Sequence, residues 1–178
     1  MCMFDVGFTL KLEIGCMVCR ENKKEIAVSR AKFEFEEERM WDWAIGLAQH
    51  VSLLSKDPST KVGAAIFDDK RRLISVGYNG FARGVEDSPK RLLDRETKYK
   101  MILHAERNAI AFATTSLEGA TLFCTHPCCT QCAAQVIQMG IEHVCWPTPP
   151  SSFVERWAGD MTLSMEMFME AGVTVHVG

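Results

Sequence analysis

The stretch HAERNAIAFATTSLEGATLFCTHPCCTQCAAQVIQMG, residues 104–140, decides how this chain is read. His104 to Thr114 is rich in Ala and free of Gly and Pro, which predicts a helix. Thr121-Leu122-Phe123-Cys124 is a short apolar run suited to a buried strand. Cys129 to Met139 reads as a second helix, closed by Gly140. Helix, strand and helix in succession point to an α/β architecture. The reactive side chains sit at the two helix starts, with His104 and Glu106 at one and Cys129 and Cys132 at the other.

That placement has a chemical meaning. Cys129 and Cys132 are three residues apart, so both sulfurs share one helix face. A helix N-terminus also favours the thiolate, the form that binds metal. One imidazole and two thiolates supply three ligands and leave a fourth tetrahedral position for water, which is the layout of a catalytic zinc site and not of a closed structural one. Zinc lowers the pKa of bound water to about 7. Glu106, two residues past His104, is placed to shuttle protons as a general acid–base. A lone Cys-x-x-Cys or a lone His would carry little weight; the ordered set does. His50, His126, His143 and His176 are not needed as ligands. Cys124 and Cys145 read as buried apolar thiols.

Length and composition bound the rest. With 178 residues the chain is expected to build one real core. A net charge of −3 gives no global basic field, so nucleic acid is not an expected partner. No apolar run approaches the roughly 18 residues that span a bilayer. The N-terminus lacks a basic start followed by an apolar segment, so no secretory leader is expected. Four of the eight cysteines fall within residues 124–132, which suggests metal chemistry in a reducing cytoplasm and not a disulfide framework.

Outward from the centre, the alternation continues. Trp41, Ala44, Ile45, Ala48, Val51 and Leu54 form one apolar stripe on a helix that starts near Glu36 and ends before Asp57-Pro58. Val62 to Phe67 and Leu73 to Tyr78 predict two strands joined at Asp68-Asp69-Lys70. Asn79-Gly80 marks tight backbone geometry. Residues 80–103 read as a long charged connection. Glu142 to Trp146 predicts a strand, followed by a proline-rich break, a helix over Met161 to Ala171 and a strand over Val173 to Val177. The expected fold is a three-layer α/β/α sandwich with a mixed five-stranded sheet. Residues 1–35 look different and are read as an N-terminal extension of unknown role. Phe8 to Ile14 alternates as a short strand would, and Cys16 and Cys19 form an isolated pair. The catalytic domain is expected over residues 36–178.

Several segments together resemble the deoxycytidylate deaminase family of the cytidine deaminase superfamily, over about Met40 to Gly178. They are Asp57-Pro58-Ser59-Thr60-Lys61-Val62-Gly63-Ala64, Gly77-Tyr78-Asn79-Gly80, Thr97-Lys98-Tyr99, His104-Ala105-Glu106-Arg107-Asn108-Ala109-Ile110 and the cysteine turn. Zinc binding is common to the superfamily and says nothing about substrate. The resemblance implies His104, Cys129 and Cys132 as zinc ligands and Glu106 as proton shuttle. It implies deamination of dCMP to dUMP and ammonia, a step that supplies dTTP synthesis. Lys61, Asn79 and Tyr99 would contact substrate. Gly77, Tyr78, Asn79 and Gly80 resemble the family's allosteric segment, where dCTP activates and dTTP inhibits with Mg2+ on the triphosphate. A homo-oligomer, typically a hexamer, is also implied. Glycines in that segment let backbone N–H groups approach phosphate.

The chain departs from the family pattern at two places. Cys128 stands where a proline usually precedes the first zinc cysteine, which raises the question of register. Cys128 and Cys132 are four apart and suit a tight clamp less well, so Cys129 is retained as ligand. Ala82 stands where a proline usually follows the Asn-Gly pair. Lys90, Arg91, Arg95, Lys98 and Lys100 are candidate phosphate cations, or a solvated face balanced by Glu86, Asp87, Asp94 and Glu96. Trp146 and Trp157 join Tyr99 as candidates to stack on the base. The alternative readings are a deaminase of another base, of the tRNA adenosine or guanine/pterin type, and a zinc-stabilised binding module without catalysis.

Overall fold

A computed structural model of the chain describes residues 35–178. The extension expected over residues 1–35, with its strand-like run and its Cys16–Cys19 pair, lies outside the described residues apart from Phe35. The elements run α1 (Phe35–Ser52), β1 (Gly63–Phe67), β2 (Leu73–Tyr78), β3 (Gly80–Phe81), α2 (Pro89–Leu93), α3 (Arg95–Met101), β4 (Ile102–Leu103) and α4 (Ala105–Phe112). They continue with β5 (Thr121–Cys124), α5 (Thr130–Gln138), β6 (His143–Trp146), α6 (Ser151–Ala171) and β7 (Thr174–Val177).

The main sheet has five strands in the order β2-β1-β5-β6-β7. Strand β1 is antiparallel to both β2 and β5, whereas β5, β6 and β7 run parallel. This is the mixed sheet expected from sequence. Every residue of β1 is buried, because the strand is covered on both faces. Its alternation sends Ala65 and Phe67 toward one core with Ala44 and Ile45 of α1, Phe123 and Cys145. Ala64 and Ile66 face a larger core with Ala105 and Ala109 of α4, Ala133 and Val136 of α5 and Phe168 of α6. Helices therefore cover both sides, as the α/β/α expectation requires.

Two glycines set how closely the layers approach. A Cβ at Gly63 would stand 1.9 Å from the Ala48 carbonyl oxygen of α1. One at Gly77 would stand 2.3 Å from the Ala109 nitrogen and 2.4 Å from the Ala105 oxygen of α4. Only the absence of a side chain lets the backbones meet there.

Three details differ from the sequence expectation. Helix α1 ends at Ser52, and Leu54 is exposed beyond it, not part of the apolar stripe. The connection over residues 80–103 is structured: β3 pairs with β4, Gly80 opposite Leu103 and Phe81 opposite Ile102. Helix α6 begins at Ser151, ten positions before the expected start at Met161. The prolines that read as a break in fact lead straight into the helix, and Phe153, Trp157 and Met161 continue its four-residue spacing. Among the described residues, no helix is long and apolar enough to cross a membrane.

Candidate metal centre and active site

His104 is the N-cap of α4 and Cys129 the N-cap of α5, both with extended backbone. An N-cap side chain ordinarily accepts an N–H of its own first turn. Neither of these does so. They turn to each other instead: Cys129 Sγ lies 3.3 Å and Cys132 Sγ 3.4 Å from His104 Nδ1. The three donor atoms all lie within 4.8 Å of one another, and they are the one such group of three among the described residues. A tetrahedral zinc with Zn–S of about 2.3 Å and Zn–N of about 2.0–2.1 Å separates its sulfur and nitrogen ligands by about 3.5 Å. The donor set therefore fits zinc in both type and spacing.

The local charge state favours the same use. Cys129 is pulled down to about 4 by the hydrogen bond from Cys132 and, against its own burial, by His104. Cys132 is pushed up, first by donating that bond and then by burial beside Glu106. The His104 imidazole is raised, chiefly by its bond with Cys129. Glu106, in the first turn of α4, is 3% exposed. Burial pushes its carboxyl up, and His104 opposes this. Cys128 is fully buried in the core, its thiol raised by the same desolvation, and it stands outside the donor group.

Contacts beyond the donors hold α4 and α5 in place. Ser75 Oγ donates to the Ala109 carbonyl at 2.8 Å, and Asn108 Nδ2 to the Tyr78 carbonyl at 2.7 Å, so α4 is tied to β2. Arg107 Nε donates to Gln135 Oε1 at 3.3 Å and links α4 to α5. Thr130, first residue of α5, gives its N–H to Asp160 Oδ2 at 3.1 Å and its hydroxyl to Asp160 Oδ1 at 2.9 Å. Asp160 lies on α6 with Phe153 and Trp157 at helical spacing. Phe153 packs on His126 and Trp157 on Tyr99, with ring centroids 5.3 and 6.2 Å apart. One stripe of α6 thus touches the segments leading into both halves of the donor set.

The other expected site residues fall into distinct places. Lys61 is exposed. Tyr99 is exposed, with the Arg95 guanidinium 5.2 Å from its ring centroid. Asn79 is buried and bonded on both ends of its amide: Oδ1 accepts from the Val62 N–H at 2.8 Å and Nδ2 donates to the Thr60 carbonyl at 2.9 Å. Its own N–H goes to the Val62 carbonyl. Gly77 lies within β2 against α4, and Gly80 opens β3, so the 77–80 segment joins two strands.

Two candidates require correction. Trp146 is 2% exposed and packs on Phe168 with ring centroids 6.4 Å apart, so it is core and does not stack on a base. Lys98 belongs neither to a solvated face nor to an open phosphate site. It is buried, with Nζ 2.9 Å from Asp57 Oδ1 and 3.1 Å from Ser59 Oγ. Local sequence does not mark the partners of Asp57 and Asp160: Asp57 begins the 57–64 motif but its ion pair is 41 residues away, and Asp160 carries only its helical spacing from Trp157.

Comparison with known proteins agrees with this geometry. The family described as the cytidine and deoxycytidylate deaminase zinc-binding region matches residues 34–148. A relative named uncharacterized deaminase in luxG 3'region, from Aliivibrio fischeri, is 46% identical over 129 residues, covering 72% of this chain and 86% of that one. The deoxycytidylate deaminase of Homo sapiens is 32% identical over 126 residues, covering 67% and 68%. The crystal structure of dCMP deaminase from the cyanophage S-TIM5 in complex with dCMP and dUMP shares the fold, with a TM-score of 0.63 at 22% identity over 82% of this chain and 99% of that one. From the match to the family over most of its length, and from a donor set of the kind the family is named for, this chain belongs to the cytidine and deoxycytidylate deaminase family.

Proposed function

We propose that this protein is a zinc-dependent deaminase that converts dCMP and water to dUMP and ammonia. The observation that carries the reading is the pairing of three converging donors, His104, Cys129 and Cys132, with a buried carboxylate two residues from the first of them. Zinc bound there would supply a water acidic enough to act as nucleophile at neutral pH. As that water's oxygen bonds to C4 of cytosine, Glu106 would take its proton and deliver it to ring N3, and would then carry the second proton to the amine as the C4–N4 bond breaks and ammonia leaves. Burial keeps this carboxylate away from bulk water, so its protons go to substrate. A zinc-stabilised binding module would have no use for such a group.

Relatives named deoxycytidylate deaminase support the nucleotide substrate. Lys61, Asn79 and Tyr99 are the residues we assign to it. Lys61 offers an exposed cation to the 5′-phosphate. Tyr99 offers an exposed ring. Asn79 shapes the 60–62 backbone that presents Lys61. By resemblance of Gly77-Tyr78-Asn79-Gly80 to the family's regulatory segment, we extend the proposal to activation by dCTP and inhibition by dTTP. Mg2+ would accompany the triphosphate, in a cytoplasmic homo-hexamer.

The test follows the loss of cytosine absorbance with dCMP, dCTP, deoxycytidine and CMP. Turnover is expected to be fastest with dCMP. Equal rates on deoxycytidine would reject the monophosphate specificity, and no turnover on any of the four by zinc-loaded protein would reject the activity. Repeating the dCMP curve with dCTP or dTTP and Mg2+ tests regulation: a sigmoid straightened by dCTP is expected.

A further inference from the structure

We infer that Asp160 is a positioning residue for the zinc thiolates. It holds the first residue of helix α5 from outside, next to the N-cap residue Cys129 that faces the metal site. The inference rests on the zinc reading above.

The first N–H groups of a helix need acceptors, and the N-cap side chain normally provides one. At α5 that position is Cys129, whose side chain makes no capping bond and lies 3.3 Å from His104 Nδ1. The first N–H of the helix, that of Thr130, finds its acceptor 30 residues downstream. Both carboxylate oxygens of Asp160 engage Thr130, one taking its N–H at 3.1 Å and the other its hydroxyl at 2.9 Å. Thr130 is bonded directly to Cys129 and lies two residues before Cys132, so fixing it fixes the turn between the two sulfurs. The carboxylate also places a negative charge at the positive end of the helix. The stripe that carries Asp160 is anchored on either side of the site by Phe153 against His126 and Trp157 against Tyr99. This gives the half-buried carboxylate a fixed platform. The N-cap of α5 is a cysteine and not Ser, Thr, Asp or Asn, and Asp160 supplies the first N–H of the helix with an oxygen acceptor.

Partners behind metal ligands typically change metal affinity by about 10–100-fold when removed. Zinc dissociation constants, measured by competition with a chromophoric chelator, are therefore expected to rise about tenfold or more for Asp160→Ala. Asp160→Asn keeps one acceptor oxygen and is expected to fall between that variant and the parent. Thr130→Val removes the hydroxyl arm alone and is expected to weaken zinc by a smaller factor. With cobalt in place of zinc, the ligand-field bands of Asp160→Ala should shift, since the sulfur positions relax; loss of a merely structural contact would lower the melting temperature and leave those bands unchanged. Zinc affinity of Asp160→Ala within twofold of the parent, with an unaltered cobalt spectrum, would overturn the inference. If Asp160→Ala does not fold, Thr130→Val decides, and unchanged affinity there overturns it. Failure of the parent protein to bind zinc stoichiometrically would instead overturn the zinc reading itself.

Discussion

Lys98 Nζ lies 2.9 Å from Asp57 Oδ1, with both side chains only 5% exposed. The pair joins α3, which leads into His104, to the 55–62 loop. Asp57 Oδ1 also accepts the N–H groups of Ser59 and Thr60, at 2.7 and 3.2 Å. The lysine thus locks a turn that Asn79 braces from the other side. Removing one member of a buried ion pair strands the other charge and costs about 3–5 kcal/mol. Lys98→Met is expected to destabilise by that amount in urea unfolding. A Lys98→Met/Asp57→Leu double variant should lose less than the two single changes summed. Strict additivity would show that the pair does not act as a unit.

Glu106→Gln keeps the size of the side chain and removes its ability to accept a proton. Zinc content is expected to be retained while dCMP turnover falls about 10²- to 10⁴-fold, the usual contribution of a general acid–base. Turnover unchanged in the zinc-loaded variant would remove Glu106 from its assigned role.

Gly77→Ala would drive a methyl group into the backbone of α4 at Ala105 and Ala109. Overpacking of this kind costs about 1–3 kcal/mol. Because α4 carries Glu106 and follows His104, weaker zinc binding should accompany the lower melting temperature. Gly46→Ala in α1 is the contrast, since a Cβ there meets nothing within 4 Å. It should stabilise by up to about 1 kcal/mol through helix propensity.

Asn79→Ala leaves the Val62 N–H and the Thr60 carbonyl without their partners. Each buried polar group stranded in this way costs about 1–3 kcal/mol. Thermal denaturation without nucleotide is expected to show the loss. A normal melting temperature with only KM raised would mean that Asn79 acts on substrate alone.

Zinc removal should single out Cys129. Its thiol is held at about 4, whereas the buried thiols of Cys124, Cys128 and Cys132 are all raised. After chelation, iodoacetamide is expected to label Cys129 fastest among these four, with little change in rate from pH 8 to pH 6. Peptide mapping by mass spectrometry checks this; preferential labelling of Cys128 would reverse the order.

The amino-acid order alone determined the donor set and the layer architecture. His104, Cys129 and Cys132 are set by residue type and by position at helix starts, and both are local properties. The apolar run of β1 and the helical spacing of α1 are equally local, so these two elements could be placed within a few residues, whereas α6 starts ten positions before its expected start and residues 80–103 hold elements the pattern did not mark. What only the tertiary structure decided was which distant segment completes each local need. Trp146 has the same chemistry as Trp157, yet one fills the core against Phe168 and the other meets Tyr99. Lys98 stood in a charged run and became a buried tether. Asp160 gained its role from the way α6 lies across the start of α5. Spacing along a chain reports which side chains share a face, but packing alone brings two faces together, and so pairs Lys98 with Asp57 and Thr130 with Asp160.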